Sequence, residues 1–251
     1  MIPAVVLAGA PNAGRLREVS PVPWEALINI HGRPMAAYVI DALLAAPAVG
    51  KVAVVGPPEL REACASERVL FLAPRGSMLE NLTAGLDAFP DAPWVLIATA
   101  DIPLLTPASA AGFLDLCAGG GAEVYYPVIP REVVEKTLPG VRRTYVRLRD
   151  GVFTGGNLGL VSPAAIKRCL GRAREFVRLR KKPLRLALVV GPGFLGRFLL
   201  GRLTLREAER RVSELLGFRG RAVVAPFPEI GVDVDKPADL EAVKLAIIKR
   251  K

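Results

Sequence analysis

The stretch Trp94 to Pro107 constrains the fold more than any other part of the chain. Its first half is a continuous apolar run with β-branched residues, which predicts a strand buried on both faces of a parallel sheet. Asp101 stands where that strand stops. It is not a helix cap, because Thr106 and Pro107 already supply the cap and first-turn proline of the next helix. In open α/β sheets ligands gather at the carboxyl ends of strands, and a carboxylate there is placed to hold a divalent cation against phosphates.

The rest of the chain fits that sheet. Ile2 to Leu7 reads as the first strand, followed by the small-residue loop Ala8 to Leu16, whose backbone N–H groups can approach phosphate oxygens unobstructed. The loop lacks the Lys-Ser/Thr ending of a Walker A motif, so it is not one. Pro34 opens a helix over Met35 to Ala46; strands follow at Lys51 to Val55 and Val69 to Leu72. Ser77-Met78-Leu79-Glu80 is a capping-box pattern that opens a helix carrying Asn81 and Gly85. This alternation predicts a right-handed, mainly parallel sheet with helices on both faces. From Glu123 the pattern changes. Glu123 to Ile129, Arg143 to Arg149 and a segment after Gly155-Gly156-Asn157 read as antiparallel additions, with a helical segment and Pro139-Gly140 between the first two. Tyr125, Tyr126 and Tyr145 read as packing residues.

Residues 167–217 form a distinct zone, first basic, then apolar from Leu184 to Leu205, then a charged helix. They predict a helical lobe inserted into a single domain spanning 1–251. Its apolar stretch, 184–203, has too few polar positions for a solvated face, so it must pack on the core, a second subunit or a membrane. Arg185, Arg197 and Arg202 interrupt it, which excludes a membrane-spanning helix. Gly191-Pro192-Gly193-Phe194-Leu195-Gly196 spells GxGxxG, but the next strand, Arg221 to Ala225, ends in Pro226-Phe227 rather than an acidic residue. A dinucleotide fingerprint is therefore rejected.

A chain of 251 residues that is 51% hydrophobic can bury a large core. Cys64, Cys117 and Cys169 lie far apart without a CxxC pair, which points to buried thiols in a reducing cytoplasm rather than disulfides or zinc. The N-terminus lacks the basic region of a signal peptide. The net charge of +10 suits a nucleotide, an anionic lipid or a solvated surface. No aromatic platform accompanies the basic residues, so nucleic acid is not an expected partner.

Taken together, these stretches resemble the MobA-like nucleotidyltransferases, relatives of molybdenum-cofactor guanylyltransferases and sugar-1-phosphate nucleotidyltransferases. Leu7-Ala8-Gly9-Ala10 is similar to the family's Leu-Ala-Gly-Gly phosphate loop, with Arg15 as the arginine that follows it. Leu27 to Met35 is similar to Leu-x-Pro-Ile-x-Gly-Lys-Pro-Met, with His31 at a variable position. Asp101, in Asp-Ile-Pro-Leu-Leu, and Asp233, in Asp-Val-Asp-Lys-Pro-Ala-Asp-Leu, match the two metal-binding aspartates. The resemblance implies an α/β, Rossmann-like fold of the nucleotide-diphospho-sugar transferase type, and Mg2+ held by Asp101 and Asp233. It implies that Gly76, Glu80, Asn81 and Gly85 lie near the base and ribose, and that Gly156-Asn157 contacts the acceptor. Each has a plainer reading: close packing for Gly76 and Gly85, a turn for Asn157. Where family members carry a lysine against the triphosphate, this chain has Glu25, whose charge repels phosphate. Either Arg15, Arg17 or Arg33 compensates, or nucleotide is bound without turnover.

The expected activity is Mg2+-dependent transfer of an NMP from an NTP to a small phosphorylated acceptor with release of pyrophosphate. The rivals are a degenerate nucleotide-binding protein, and a scaffold that dimerises or contacts a membrane through 184–203. If Asp101 and Asp233 share one ion, their carboxylates must approach within about 6 Å. Asp235 is the alternate ligand, because strand alternation would turn it to the same side as Asp233.

Overall fold

The structure, a computed structural model, describes residues 1–137, 141, 143–179 and 189–250. The parallel core follows the expected order: β1 (Ile2–Leu7), α1 (Met35–Ala45), β4 (Val49–Val55), α2 (Leu60–Ala63), β5 (Val69–Leu72), α3 (Met78–Asp87), β6 (Val95–Thr99) and α4 (Pro107–Cys117). A two-stranded ribbon of β2 (Asn29–Ile30) and β3 (Arg33–Pro34) precedes α1. Then come β7 (Val124–Pro130), α5 (Arg131–Thr137), β8 (Val146–Leu148), β9 (Gly151–Gly155), β10 (Leu158–Val161) and α6 (Pro163–Leu179). The chain closes with α7 (Pro192–Leu199), α8 (Leu205–Leu216), β11 (Gly220–Val224) and α9 (Pro237–Lys249).

Among the described residues, one mixed sheet runs β5-β4-β1-β6-β10-β7-β9-β8, with β11 added alongside β7. Strands β5, β4, β1 and β6 are parallel, and β10 is antiparallel to both β6 and β7. Alternation along the central strands feeds two cores. Val6, Leu96 and Ala98 meet Ala36, Ile40 and Phe113 of α1 and α4 on one face. Val5, Ala53 and Val95 meet Leu86, Ile166 and Cys169 on the other. Each such buried aliphatic side chain contributes about 1.5–3 kcal/mol relative to exposure. Gly85 lets α3 lie flat on β1, since a Cβ there would stand 2.3 Å from Val5 Cγ1. Helix α4 starts as its sequence requires: Thr106 accepts from Ser109 N–H at 3.1 Å in a capping box, and Pro107 follows it.

Several elements depart from expectation. Strand β8 is shorter than the predicted Arg143 to Arg149, because Arg143 leaves the sheet for the acidic site described below. Strand β9 has no clear signature in the sequence, being a short segment bounded by glycines. Tyr125 is buried as expected, but Tyr126 is 48% exposed. Helix α6 begins ahead of residue 167, so the lobe boundary falls within a helix. The lobe is helical where it is described, and Phe194, Phe198, Leu203 and Leu205 pack on Val128, Leu148 and Phe153 of the sheet. Leu199 and Leu200 of the predicted apolar run stay 74% and 69% exposed. Its start, Leu184 to Leu188, and the predicted Pro139-Gly140 turn lie outside the described residues. Val189 and Val190, just before the GxGxxG segment, are helical, and Gly191 (φ +100) is the N-cap of α7.

All three cysteines are free and buried. Burial pushes the Cys64 thiol up to about 11 and the Cys117 thiol to about 12, and raises Cys169. In a thiol-reagent titration at pH 8 all three are expected to react only after denaturation, because thiolate is the reactive form. Rapid labelling of the native protein would contradict that burial.

Candidate active site

The register of the central strands builds one edge. Leu7 of β1 pairs with Val55 of β4 and Thr99 of β6, so the loop from Ala8 and the segment Ala100-Asp101 leave the sheet side by side. Asn157, just ahead of β10, joins them by accepting from Thr99 N–H at 3.1 Å. The segment before α9 is then tied on, with Val234 N–H donating to the Asp101 carbonyl at 2.9 Å. Strand alternation does not place Asp235, because residues 232–235 are loop. Asp239 shapes that loop, accepting from Asp235 N–H at 3.2 Å and Lys236 N–H at 3.0 Å.

Asp101, Asp233 and Asp235 thereby converge, each with a carboxylate oxygen within 4.8 Å of the others. Thr99 donates its hydroxyl to Asp101, and the Asn157 amide donates to Asp233 at 3.4 Å. Burial holds the Asp101 carboxyl above its usual range, and the Asp235 charge adds to that, while the Thr99 hydroxyl acts against both. An all-oxygen set of convergent, mutually repelling carboxylates fits a hard divalent cation such as Mg2+. Arg143 was not foreseen. Its guanidinium pairs with Asp233, and both side chains are largely buried, 13% and 15% exposed. The basic run around it was visible in the sequence, but nothing there singled out this residue.

The loop after β1 is fastened from the opposite side. Glu25 N–H donates to the Ala10 carbonyl at 3.1 Å and Asn12 N–H to Pro23 at 2.8 Å, with Pro11 bridged to Trp24. Asn12, unremarked in the sequence, is buried, and its amide donates to the Ser20 and Val22 carbonyls. This clamp turns Glu25 into a small cleft lined also by Leu7, Ala8, Ala10 and Asp101. Burial, then Asp101 and Asp235, push its carboxyl up to about 6. Glu25 therefore lines the cleft beside the acidic cluster. Arg15 stands exposed on the turn Arg15–Glu18 beyond the loop. Arg33 is committed elsewhere, paired with Asp41 at 2.6 Å.

Four of the residues expected at the base, ribose or acceptor have roles in the fold. Gly85 packs on Val5. Gly156 is buried where a Cβ would stand 2.7 Å from Pro127 Cγ, so it lets Asn157 reach the edge without offering a surface itself. Asn81 is buried, accepts from Arg75 N–H at 2.5 Å and leaves its Nδ2 2.7 Å from where a Gly9 Cβ would be. It buttresses the loop after β1 at Gly9. Glu80 accepts from the Ser77 hydroxyl at 2.8 Å at the start of α3, while Gly76 is exposed beside it. Gly85→Ala is expected to cost about 1–3 kcal/mol by overpacking, read by chemical denaturation. A variant of full stability with weakened nucleotide binding would contradict that packing role.

Residues 4–219 match the MobA-like NTP transferase domain. The chain is 44% identical to a hypothetical transferase from Thermus thermophilus, over 95% of this chain and 99% of that one, with a TM-score of 0.84. It therefore belongs to the MobA-like NTP transferase family. The fold is shared with a nucleotidyl transferase from Methanothermobacter thermautotrophicus (17% identity, 100% and 99% covered, TM-score 0.59). It is shared also with a CMP:2-keto-3-deoxy-manno-octonic acid synthetase complexed with CTP (14% identity, both chains fully covered, TM-score 0.64). Family and fold together support nucleotidyl transfer as the class of activity.

Proposed function

We propose that this protein is a Mg2+-dependent nucleotidyltransferase that moves an NMP from an NTP to a small phosphate-bearing acceptor. The observation that carries this is the convergence of Asp101, Asp233 and Asp235 beside the loop Leu7 to Ala10. An acceptor phosphate oxygen bonds to the α-phosphorus, the bond to the β-phosphate bridge breaks, and pyrophosphate leaves. Leu7 and Ala8 anchor the loop to the sheet, Ala8 N–H donating to the Val55 carbonyl at 2.8 Å, and the backbone N–H groups of Gly9 and Ala10 meet the triphosphate, while Arg15 adds charge from the loop's far end. Asp101 and Asp233 would hold the cation, with Asp235 as a third ligand; Thr99 and Asn157 fix the first two carboxylates. Mg2+, when bound, neutralises charge developing at the α-phosphate.

A pyrophosphate-release assay with each of the four NTPs and a panel of phosphorylated metabolites tests this. One NTP with one acceptor class should give Mg2+-dependent release. Glu25 beside Asp101 favours a second reading, nucleotide binding without turnover, which calorimetric binding with no release across the panel would select. No helix among the described residues is long and apolar enough to cross a membrane, and we place the activity in the cytoplasm, without nucleic acid as a partner. The exposed Leu199 and Leu200 keep a homodimer or peripheral membrane contact through 184–203 as proposals. A protein that is monomeric in sedimentation and ignores anionic liposomes would end both.

A further inference from the structure

Two cavities meet at the acidic cluster. The first, lined by the phosphate loop, Glu25 and Asp101, lies on the nucleotide side. The second shares none of those residues and is lined by Arg143, Thr144, Asp233, Asp235, Lys236 and Asp239. Building on the nucleotidyltransferase reading, we propose that Arg143, with Lys236 and Thr144, seats the anionic group of the acceptor in this second cavity. That makes Arg143 the residue that sets acceptor specificity, in place of the buried Gly156.

The chemistry of the lining supports a phosphate-type oxyanion. Asp239 accepts two backbone N–H groups through Oδ2 and holds the loop in place. Arg143 is largely buried and pairs with Asp233, and its Nε–H has no acceptor among the described residues. A buried ion pair is a poor source of stability, because desolvation offsets its attraction. A planar guanidinium with an unused donor, in a cavity that Lys236 and Thr144 also line, is instead suited to receive phosphate oxygens at fixed geometry. Three aspartates against two cations leave the cavity with a negative balance, so an anion is repelled until a divalent cation joins the cluster. Acceptor binding therefore depends on the metal.

The test is calorimetric titration of inorganic phosphate into the full chain, with and without Mg2+, for wild type, Arg143→Met, Arg143→Lys and Lys236→Met. Titration of Mg2+ with each NTP into the same proteins runs beside it. Phosphate should bind wild type only with Mg2+, at least about tenfold more weakly to Arg143→Met, and with intermediate affinity to Arg143→Lys and Lys236→Met. Nucleotide affinity should stay within about twofold of wild type, a change of about 0.4 kcal/mol. Unchanged phosphate affinity in Arg143→Met with intact NTP binding overturns the acceptor site and leaves the functional reading standing. Loss of NTP and phosphate binding together in Arg143→Met and Arg143→Lys places Arg143 on the nucleotide side and also overturns it. A wild-type protein that binds no NTP fails the functional reading and takes the acceptor site with it.

Discussion

Asp101→Asn is expected to lower nucleotidyl transfer by about 10²- to 10³-fold, the usual loss when one preorganised charge is removed from a reaction centre. Asp101 follows the central strand, is fixed by Thr99 and converges with Asp233 and Asp235. The same change should not weaken the metal-free fold. Burial and the Asp235 charge both oppose ionisation of Asp101, and a neutral amide of the same shape removes that repulsion. Thermal unfolding in chelator should therefore give a Tm equal to or above that of wild type. Activity within tenfold of wild type would move the cation site elsewhere, whereas a lower Tm would recast Asp101 as a structural residue.

Glu25→Lys should act in the opposite direction on binding. The Glu25 carboxyl faces the phosphate cleft and is pushed up to about 6, from an ordinary 4.5, by burial and then by Asp101 and Asp235. A raised carboxyl favours folding while protonated. The penalty is thus absent below about 4.5, grows as pH rises, and is complete above about 6, where solvent screening of this half-buried group holds it to about 1 kcal/mol. Glu25→Gln should therefore stabilise the metal-free protein at pH 8 and change it little at pH 4. Glu25→Lys keeps that gain and adds an attractive charge beside the triphosphate, tightening NTP binding by about tenfold or more. Calorimetry checks the affinity and denaturant melts at the two pH values check the stability. Unchanged affinity would mean that the triphosphate does not approach Glu25.

The sequence displayed the parallel core plainly because periodicity and caps agree there. Val95 to Thr99 is an uninterrupted apolar run that stops at Asp101, and Thr106-Pro107 marks the next helix without ambiguity. The acidic site was legible as two short motifs, and closure of the sheet edge brings them together. The glycines were harder. Gly85 and Gly156 look the same in one dimension whether a ligand or a valine needs the space that a Cβ would fill. Asn81 poses the same problem, since a buried amide serving the loop and an exposed one serving a base share the same neighbours in sequence. Arg143 sits in a basic run without period or cap, and its tie to Asp233 spans ninety residues that no local pattern connects. Glu25 was visible as a reversed charge, but its orientation depends on the pairing of Pro11 with Trp24, two residues whose contact no spacing rule predicts.

The most direct test of the acidic cluster as the centre of a nucleotidyltransferase is calorimetric titration of the four NTPs, each with and without Mg2+, into wild type and Asp101→Asn. At least one NTP should bind wild type in a strictly Mg2+-dependent manner, and Asp101→Asn should lose that dependence. Binding of every NTP that is indifferent to Mg2+, or identical in the two proteins, would contradict it.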